Sequence, residues 1–225
     1  MTQAFQPTLF DSAVDRPTFR PLTPGSTAHA VGGPRTGLSA GAWVDLHQNW
    51  LRGAEDLLRD LIDAVPWRSE RRTMYDRVVD VPRLVRHYGE GERLPHPLLA
   101  EGMRLLTEHY GGELGEGFTT AGLCYYRDGA DSVAWHGDTI GRGRTEDTLV
   151  AILSLGSTRT LMLRPRRGNT TPHGTDTSSL RFPVGHGDLI VMGGSCQRTW
   201  EHCIPKSARV PGPRISVQFR PRGVR

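Results

Sequence analysis

Apolar positions keep one rhythm in the first half of the chain and another in the second. From Ala42 to Val65, the residues Leu46, Trp50, Leu51, Leu57, Leu58, Leu61, Ile62 and Val65 recur at helical intervals, and Pro66 closes the run. This predicts a long first helix. Leu98 to Tyr110 predicts a second, carried by Leu98, Leu99, Met103, Leu105 and Leu106 and stopped by Gly111-Gly112. Between them, Val78–Tyr88 reads as a strand pair, or as one strand with an irregularity at Pro82. From Gly122 the period drops to two. Strands are predicted at Leu123–Arg127, Thr148–Ser154, Arg159–Arg164, Leu180–Pro183, Asp188–Met192, Thr199–His202 and Arg214–Phe219. Helices early and many short strands late make an α+β layout: a two-sheet jelly roll, the double-stranded β-helix, with N-terminal helices packed on it.

Residues 1–42 hold Pro7, Pro17, Pro21, Pro24 and Pro34 and no persistent period, which predicts an extended arm anchored by Phe5, Leu9, Phe10 and Phe19. Residues 43–225 are expected to form one domain, since 225 residues supply one sizeable core. Arg166–Ser179 is polar and reads as a hairpin loop. With 27 Gly and 16 Pro, the composition suits frequent turns better than a helical bundle. No apolar run approaches the ~18–20 residues of a membrane span, and the first residues lack the basic-then-apolar pattern of a secretory signal. Three cysteines, Cys124, Cys196 and Cys203, form no Cys-x-x-Cys pair, which argues against a disulfide framework and suggests a cytoplasmic location. The net charge of +4 suits a phosphate-bearing partner as well as an ordinary Arg-rich protein, and does not choose between them.

The chemistry begins at His136-Gly137-Asp138. On a strand, residues i and i+2 share a face, so this imidazole and carboxylate can reach one ion. Alone the triplet is a frequent accident. His202, far along the chain, offers a second imidazole. Two His and one carboxylate with open positions suit Fe(II) and oxygen activation, although Zn is also permitted. Cys203 adjoins His202 but would face the other way. Downstream, Arg214-Ile215-Ser216-Val217-Gln218-Phe219-Arg220 alternates strictly and sets Arg214, Ser216, Gln218 and Arg220 on one face. Two arginines on a buried face need an anion, and a dicarboxylate meets that need. The combination is the pattern of a 2-oxoglutarate-dependent Fe(II) dioxygenase. Trp67 beside Arg68, Arg71 and Arg72 admits two readings: a phosphate grip with a stacking aromatic, or a solvated loop with the indole turned inward.

The order Tyr126-Arg127-Asp128-Gly129-x-Asp131-Ser132-x-x-Trp135-His136-x-Asp138, then Gly187-Asp188-Leu189 leading to Met192-Gly193-Gly194, then His202-x-Ile204-Pro205-Lys206, then Arg214 and Arg220, resembles the AlkB family of nucleic-acid demethylases. The likeness runs from about Val65 to Arg220. It implies oxidative demethylation of N-alkylated bases in DNA or RNA, in direct-reversal repair, with release of formaldehyde, succinate and CO2. Fe(II), 2-oxoglutarate and O2 are the implied cofactor and cosubstrates. By the same resemblance, His136, Asp138 and His202 bind the metal and are catalytic. Arg214 and Tyr126 hold the distal carboxylate of 2-oxoglutarate, with Ser216 and Arg220 completing the pocket. Residues 66–96 form a nucleotide lid over a jelly-roll core at about 120–221. The lid brings Trp67, Arg68, Arg71, Arg72 and Tyr75 to the substrate, and Arg127 and Trp135 are further candidate walls. The expected partner is nucleic acid, with no membrane and a monomeric protein.

The chain departs from the family pattern in several places. Cys124 and Ser216 stand where Asn is usual, and Gln218 where Thr is usual. Thr139-Ile140-Gly141 follow the His-x-Asp where relatives often carry an acidic residue that reads the base; Glu146 or Asp147 are the candidates to replace it. Two other readings stand beside demethylation. One is an oxygenase of the same fold acting on a protein or small molecule. The other is a nucleic-acid-binding protein with a decayed iron site, which the presence of all three ligands opposes.

Overall fold

A computed structural model describes residues 16–22, 35–74, 77–166, 179–209 and 212–224, with residues 71–74 and 77–80 described as backbone only. Its elements in chain order are β1 (Thr18–Phe19), β2 (Arg35–Gly37), β3 (Ala42–His47), β4 (Leu51–Arg52), α1 (Glu55–Ala64), β5 (Arg68–Met74), β6 (Arg77–Tyr88), α2 (Pro97–Leu114), β7 (Phe118–Tyr126), β8 (Val133–His136), β9 (Val150–Gly156), β10 (Arg159–Pro165), β11 (Leu180–Val184), β12 (Leu189–Gly194), α3 (Cys196–Thr199), β13 (Trp200–Ile204) and β14 (Arg214–Pro221). The strands build an eight-stranded sheet, β2-β3-β12-β9-β14-β7-β6-β5, and a four-stranded sheet, β11-β10-β13-β8. A short β1-β4 pair stands apart. This is the two-sheet arrangement that the period-two half of the chain predicts.

The large sheet is buried on both faces. Its alternating residues therefore feed two separate cores. Ala151, Leu153, Leu155, Ile215, Val217 and Phe219 meet Leu57 and Leu61 of α1 and Leu99, Leu106 and Tyr110 of α2. Val150, Ile152, Tyr126, Ile190 and Met192 face the small sheet and meet Leu161, Leu163, Val184 and Ile204. A one-residue slip of β9 or β14 would exchange these faces, so the register is firmly specified.

The first predicted helix is corrected. Ala42–His47 forms strand β3, and the helix occupies only Glu55–Ala64. Six consecutive residues of β3 pair with β12, from Ala42↔Gly194 to His47↔Leu189. Asn49 and Gly53, with φ of 50° and 65°, then turn the chain twice before α1 starts. Pairing with a neighbour distant in sequence outweighed a helical pattern of apolar residues. Val65 and Pro66 close α1 as expected.

The second helix is longer than predicted. His96 caps it through Nδ1, which accepts from the Leu98 amide at 3.2 Å, and Pro97 opens it. It passes through Gly111-Gly112 and ends only at Gly115, whose φ of 73° is the left-handed cap. Burial of Tyr110 and packing of Leu114 on the same core carry it past the glycine pair, which costs about 1 kcal/mol per residue relative to Ala.

Residues 78–88 lie within one strand that runs through Pro82, and the basic segment after Trp67 is a strand, not a loop. That segment, β5, is the edge strand of the large sheet, paired with β6 from Arg68↔Val85 to Met74↔Arg77. Phe19 of the predicted arm packs on Trp50, with ring centroids 4.6 Å apart. Phe5, Leu9 and Phe10, and nearly all of the predicted 166–179 loop, lie outside the described residues.

Candidate metal centre and cosubstrate pocket

Strand β8 is an edge of the small sheet, and its last residue, His136, is the direct register partner of His202 on β13. Cross-strand pairing thus joins two imidazoles 66 positions apart in sequence. Their ring centroids lie 4.3 Å apart. The strand ends at His136, so Asp138 reaches the same place from the turn that follows, rather than from an extended strand. The candidate ligand atoms of His136, Asp138 and His202 all lie within 4.8 Å of one another. One ion touches all three at that spacing.

The protonation states fit a divalent metal. Burial pushes the His202 imidazole down to about 3, with His136 adding to the effect, so it presents a neutral nitrogen at pH 7. Burial and the facing arginines Arg83 and Arg220 also lower His136, against Asp138 and the Ala134 carbonyl, which favour its proton. Burial alone would raise the Asp138 carboxyl, but Arg220 and His202 hold it well below the usual carboxylate range. The His136 Nδ1 lies 2.9 Å from the Ala134 carbonyl oxygen, which leaves Nε2 for the ion.

The structure adds a residue that no sequence signal marked. Gln197, on α3 and 1% exposed, accepts a hydrogen bond from the Asp138 amide at 2.9 Å. Its own backbone carbonyl lies 2.4 Å from where a Cβ on Gly137 would stand. Gly137 is therefore required between the two candidate ligands, because α3 packs directly onto that peptide. Only the tertiary placement of a four-residue helix could have revealed this.

The cosubstrate residues assemble on one face of β14. Arg214 pairs in register with Tyr126 of β7 and Gly156 of β9; Ser216 pairs with Cys124 and Ser154. Arg214 is 2% exposed. Its Nε donates to Ser154 Oγ at 3.0 Å, and the Tyr126 ring centre lies 5.2 Å from its guanidinium carbon. Its Nη1 is buried with no hydrogen-bond partner. An orphaned charged donor in a protein interior is costly, and a ligand carboxylate would satisfy it, so this pocket fits a dicarboxylate cosubstrate. Arg220 donates Nε to Asp138 Oδ2 at 2.8 Å and so joins the pocket to the candidate metal ligands.

The departures from the family pattern interlock. Cys124 lies 3.7 Å from Gln218 Oε1, and Gln218 Nε2 donates to Ser216 Oγ at 2.6 Å. Arg83 of β6 donates to Cys124 Sγ at 3.4 Å. The longer Gln218 fills a place that its shorter neighbours leave.

Other predicted site residues are placed differently. Trp67 is half-buried against Tyr125 and donates Nε1 to the Ile62 carbonyl at 3.1 Å, which is the inward-packed alternative. Arg127 is engaged by Asp131 through Nε and Nη2, both at 2.8 Å. Trp135 precedes His136 and so faces the other side of β8, where Arg164 lies over its ring at 4.3 Å. Glu146 pairs with Arg142 and Asp147 with Arg198. Arg68 is exposed on β5; the side chains of Arg71 and Arg72, and all of Tyr75, lie outside the described residues. Cys203 is buried and outside the metal cluster, its thiol pushed up to about 11 by burial.

Comparison with known proteins agrees with this geometry. The family model described as "2OG-Fe(II) oxygenase superfamily" matches residues 92–220. Alpha-ketoglutarate-dependent dioxygenase alkB homolog 3 of Homo sapiens is 30% identical over 182 residues, covering 76% of this chain and 62% of that protein. DNA oxidative demethylase ALKBH2 of Homo sapiens is 26% identical over 115 residues, covering 51% of this chain and 44% of that protein. The chain thus spans less than two thirds of the length of these relatives. Among solved structures, a Pseudomonas putida prolyl-4-hydroxylase superposes with a TM-score of 0.54 at 16% identity, over 80% of this chain and 93% of that one. OsALKBH1 superposes with a TM-score of 0.51 at 12% identity, over 79% and 97%. At these identities the superpositions speak for the fold alone. The family match and the curated relatives go further: this chain belongs to the 2OG-Fe(II) oxygenase superfamily and sits with its AlkB-type members.

Proposed function

We propose that this protein demethylates N-alkylated bases in nucleic acid, using Fe(II), 2-oxoglutarate and O2, and releases formaldehyde, succinate and CO2. The carrying observation is the convergence of His136, Asp138 and His202 within 4.8 Å, beside a buried arginine whose Nη1 lacks a partner. His136, Asp138 and His202 would hold the iron. Arg214 and Tyr126 would hold the far carboxylate of 2-oxoglutarate, with Ser216 and Arg220 completing its pocket. When bound, the iron with its two cosubstrates supplies the oxidation of an N-methyl group.

The chain's own residues orient and exclude. Two neutral imidazoles and one carboxylate leave the opposite side of the metal open. Arg220 keeps Asp138 ionised and fixes one carboxylate oxygen. Leu161 and Leu163 of the small sheet and Ile190 and Met192 of the large one belong to the buried apolar core between the two sheets, from which water is excluded. A base in a duplex must leave the stack to reach this depth. Support for nucleic acid comes from the AlkB-type relatives, one of them named as a DNA oxidative demethylase, and from the net charge of +4. The basic segment Arg68, Arg71 and Arg72 is the part we assign to phosphate contacts.

The test is formaldehyde and succinate release from methylated single-stranded DNA and RNA oligonucleotides run side by side. Stoichiometric formaldehyde and succinate are expected. Succinate that forms without any dependence on oligonucleotide would instead favour an oxygenase of the same fold acting on a protein or small molecule.

A further inference from the structure

His136 and His202 are held in place by strand pairing, but Asp138 is not. Strand β8 ends at His136, and the third candidate ligand stands on the turn that leads, through residues 139–149, to β9. A carboxylate on such a turn keeps one geometry toward a metal only if neighbouring segments hold the turn still. Asp138 itself is touched on several sides. Gln197 Oε1 accepts from its amide, Arg220 Nε donates to its carboxylate, and its carbonyl oxygen lies 2.1 Å from where a Cβ on Gly143 would stand. Gly143 belongs to a single 3-10 turn, Arg142–Arg144, so that turn rests directly on the Asp138 peptide. Whatever fastens it decides how firmly Asp138 is held.

The segment that follows β14 does so. Arg142 donates its amide to the Gly223 carbonyl at 3.0 Å and Nη1 to the Arg222 carbonyl at 3.2 Å. Gly141 and Val224 form an antiparallel bridge. The two segments fit closely: a Cβ on Gly141 would stand 2.1 Å from the Gly223 carbonyl oxygen. Gly141 also has φ of 78° and ψ of −141°, a conformation that glycine alone adopts readily.

Val224 anchors the arrangement. Arg222 and Gly223 are exposed, whereas Val224 is 2% exposed and belongs to the apolar core between the two sheets. Exposed backbone bonds alone are exchanged for bonds to water at little cost. A buried valine on the same segment makes release costly, because its side chain would enter water. Ion pairs brace both sides, Arg142 with Glu116 and Glu146, and Arg222 with Glu90.

These contacts form one path. It runs from the buried Val224 side chain, through the bond between Gly223 and Arg142, to Gly143 and the Asp138 peptide. Strand β14 also supplies Arg220, so the carboxylate and the carbonyl side of Asp138 are both set from the end of one strand. Resting on the reading that Asp138 ligates the iron, we propose that Arg222–Val224 is a clasp that fixes the metal-binding turn, with Val224 as a positioning residue and Gly141 as its seat. Val224 acts on the metal only through Asp138. Coupling of this kind is reciprocal: a clasp that favours the metal is itself favoured by the metal.

The experiment uses the full chain with Co(II) as the probe. Val224→Asp puts a charge into the core and should release the clasp. Gly141→Ala, at an exposed position, should push the Gly223 carbonyl away, and it carries the test if Val224→Asp does not fold. Each folded variant should bind Co(II) about tenfold more weakly than the parent, as for groups that orient metal ligands, with a changed visible spectrum of the bound ion. Val224→Ile, which keeps an apolar anchor, should match the parent in both. In the parent, Co(II) should slow deuterium uptake over residues 139–146, and in the two clasp variants it should slow it less. Parent affinity and spectrum in a folded Gly141→Ala or Val224→Asp overturn the inference, even where the urea midpoint has fallen, because Val224 is then a core residue and nothing more. Deuterium uptake over 139–146 that ignores Co(II) overturns it as well. His202→Ala separates this inference from the reading beneath it. If His202→Ala alone loses Co(II), the ligand assignment stands and the clasp falls; if His202→Ala binds Co(II) as the parent does, the ligand assignment falls and takes the clasp with it.

Discussion

Two buried carboxylates in this protein each meet an arginine, and the two meetings end differently. Asp45, fully buried on β3, takes Arg35 through Nε and Nη2, both at 2.8 Å, and the Tyr110 hydroxyl at 3.1 Å. Arg35 goes on to Glu113 and lies over the Trp43 ring at 3.6 Å. His47 Nε2 lies 3.0 Å from the Tyr110 oxygen. The network closes: it ties edge strand β2 and its neighbour β3 to α2 and leaves none of these side chains among the buried atoms without a partner. Asp138 also takes an arginine, but through one bond, and around it Arg214 Nη1 and Gln197 Nε2 remain unpartnered and buried. A closed polar network holds a fold together; an open one, whose vacancies are costly until something fills them, is what a binding site requires.

The largest expected effect is on the open side. His202→Ala removes a candidate metal ligand at the strand register that joins the two imidazoles. Turnover should vanish and iron binding, followed by calorimetry, should fall to background, while circular dichroism stays that of the parent. Normal turnover in this variant would refute the ligand assignment.

Breaking the closed network should act on stability instead. Asp45→Ala strips Arg35 and Tyr110 of their buried partner. Such losses cost about 3–5 kcal/mol; the lower end is expected because the Arg35 side chain is 17% exposed and keeps Glu113. Urea denaturation measures the loss. Iron affinity should stay that of the parent; a fall in parallel with stability would show that the two regions are coupled.

Arg214→Met sharpens the contrast within one residue. Losing one partner of a desolvated charge pair costs about 2–5 kcal/mol, so the 2-oxoglutarate requirement should rise by about tenfold or more. The urea midpoint of the unliganded protein should not fall, because the group removed was itself incompletely satisfied. A large stability loss with an unchanged cosubstrate requirement would make Arg214 a structural residue.

The smallest effect concerns Gln197. Gln197→Leu keeps the volume and removes the acceptor of the Asp138 amide. Outer partners of metal ligands typically contribute about 10–100-fold in metal affinity. A loss at the lower end is expected in a Co(II) titration, with an altered visible spectrum of the bound ion. Gln197→Glu, which keeps an acceptor, should recover most of it. Equal binding by Gln197→Leu would reduce the contact to packing.

How much of this could be read from the chain itself follows from what each feature depends on. The alternation in Arg214–Arg220 is a local property, because successive strand side chains point to opposite faces whatever lies beside them. The structure puts Ile215, Val217 and Phe219 in the helix-side core and leaves Arg214, Ser216, Gln218 and Arg220 on the other face, as the alternation requires. The donor types of the site were legible for the same reason: His and Asp are the residues that bind such a metal, and their identities are written in the chain.

Other features depend on partners distant in sequence. Ala42–His47 looked helical because its apolar spacing admits a helix, and only pairing with β12 made it a strand. Glycines at 111 and 112 are weak helix formers in isolation, yet a buried face carried α2 past them. The spacing of His136 and Asp138 suggested a shared strand face, but the strand ends at His136 and a turn does that work. Gln197 carried no local mark at all, since its role exists only where α3 packs against Gly137. The sequence by itself determined which groups are available and how they alternate, because those are properties of single residues and their immediate neighbours. Tertiary structure decided which groups meet, which remain unpartnered and which are closed off, because burial and register are set by contacts between segments far apart in the chain.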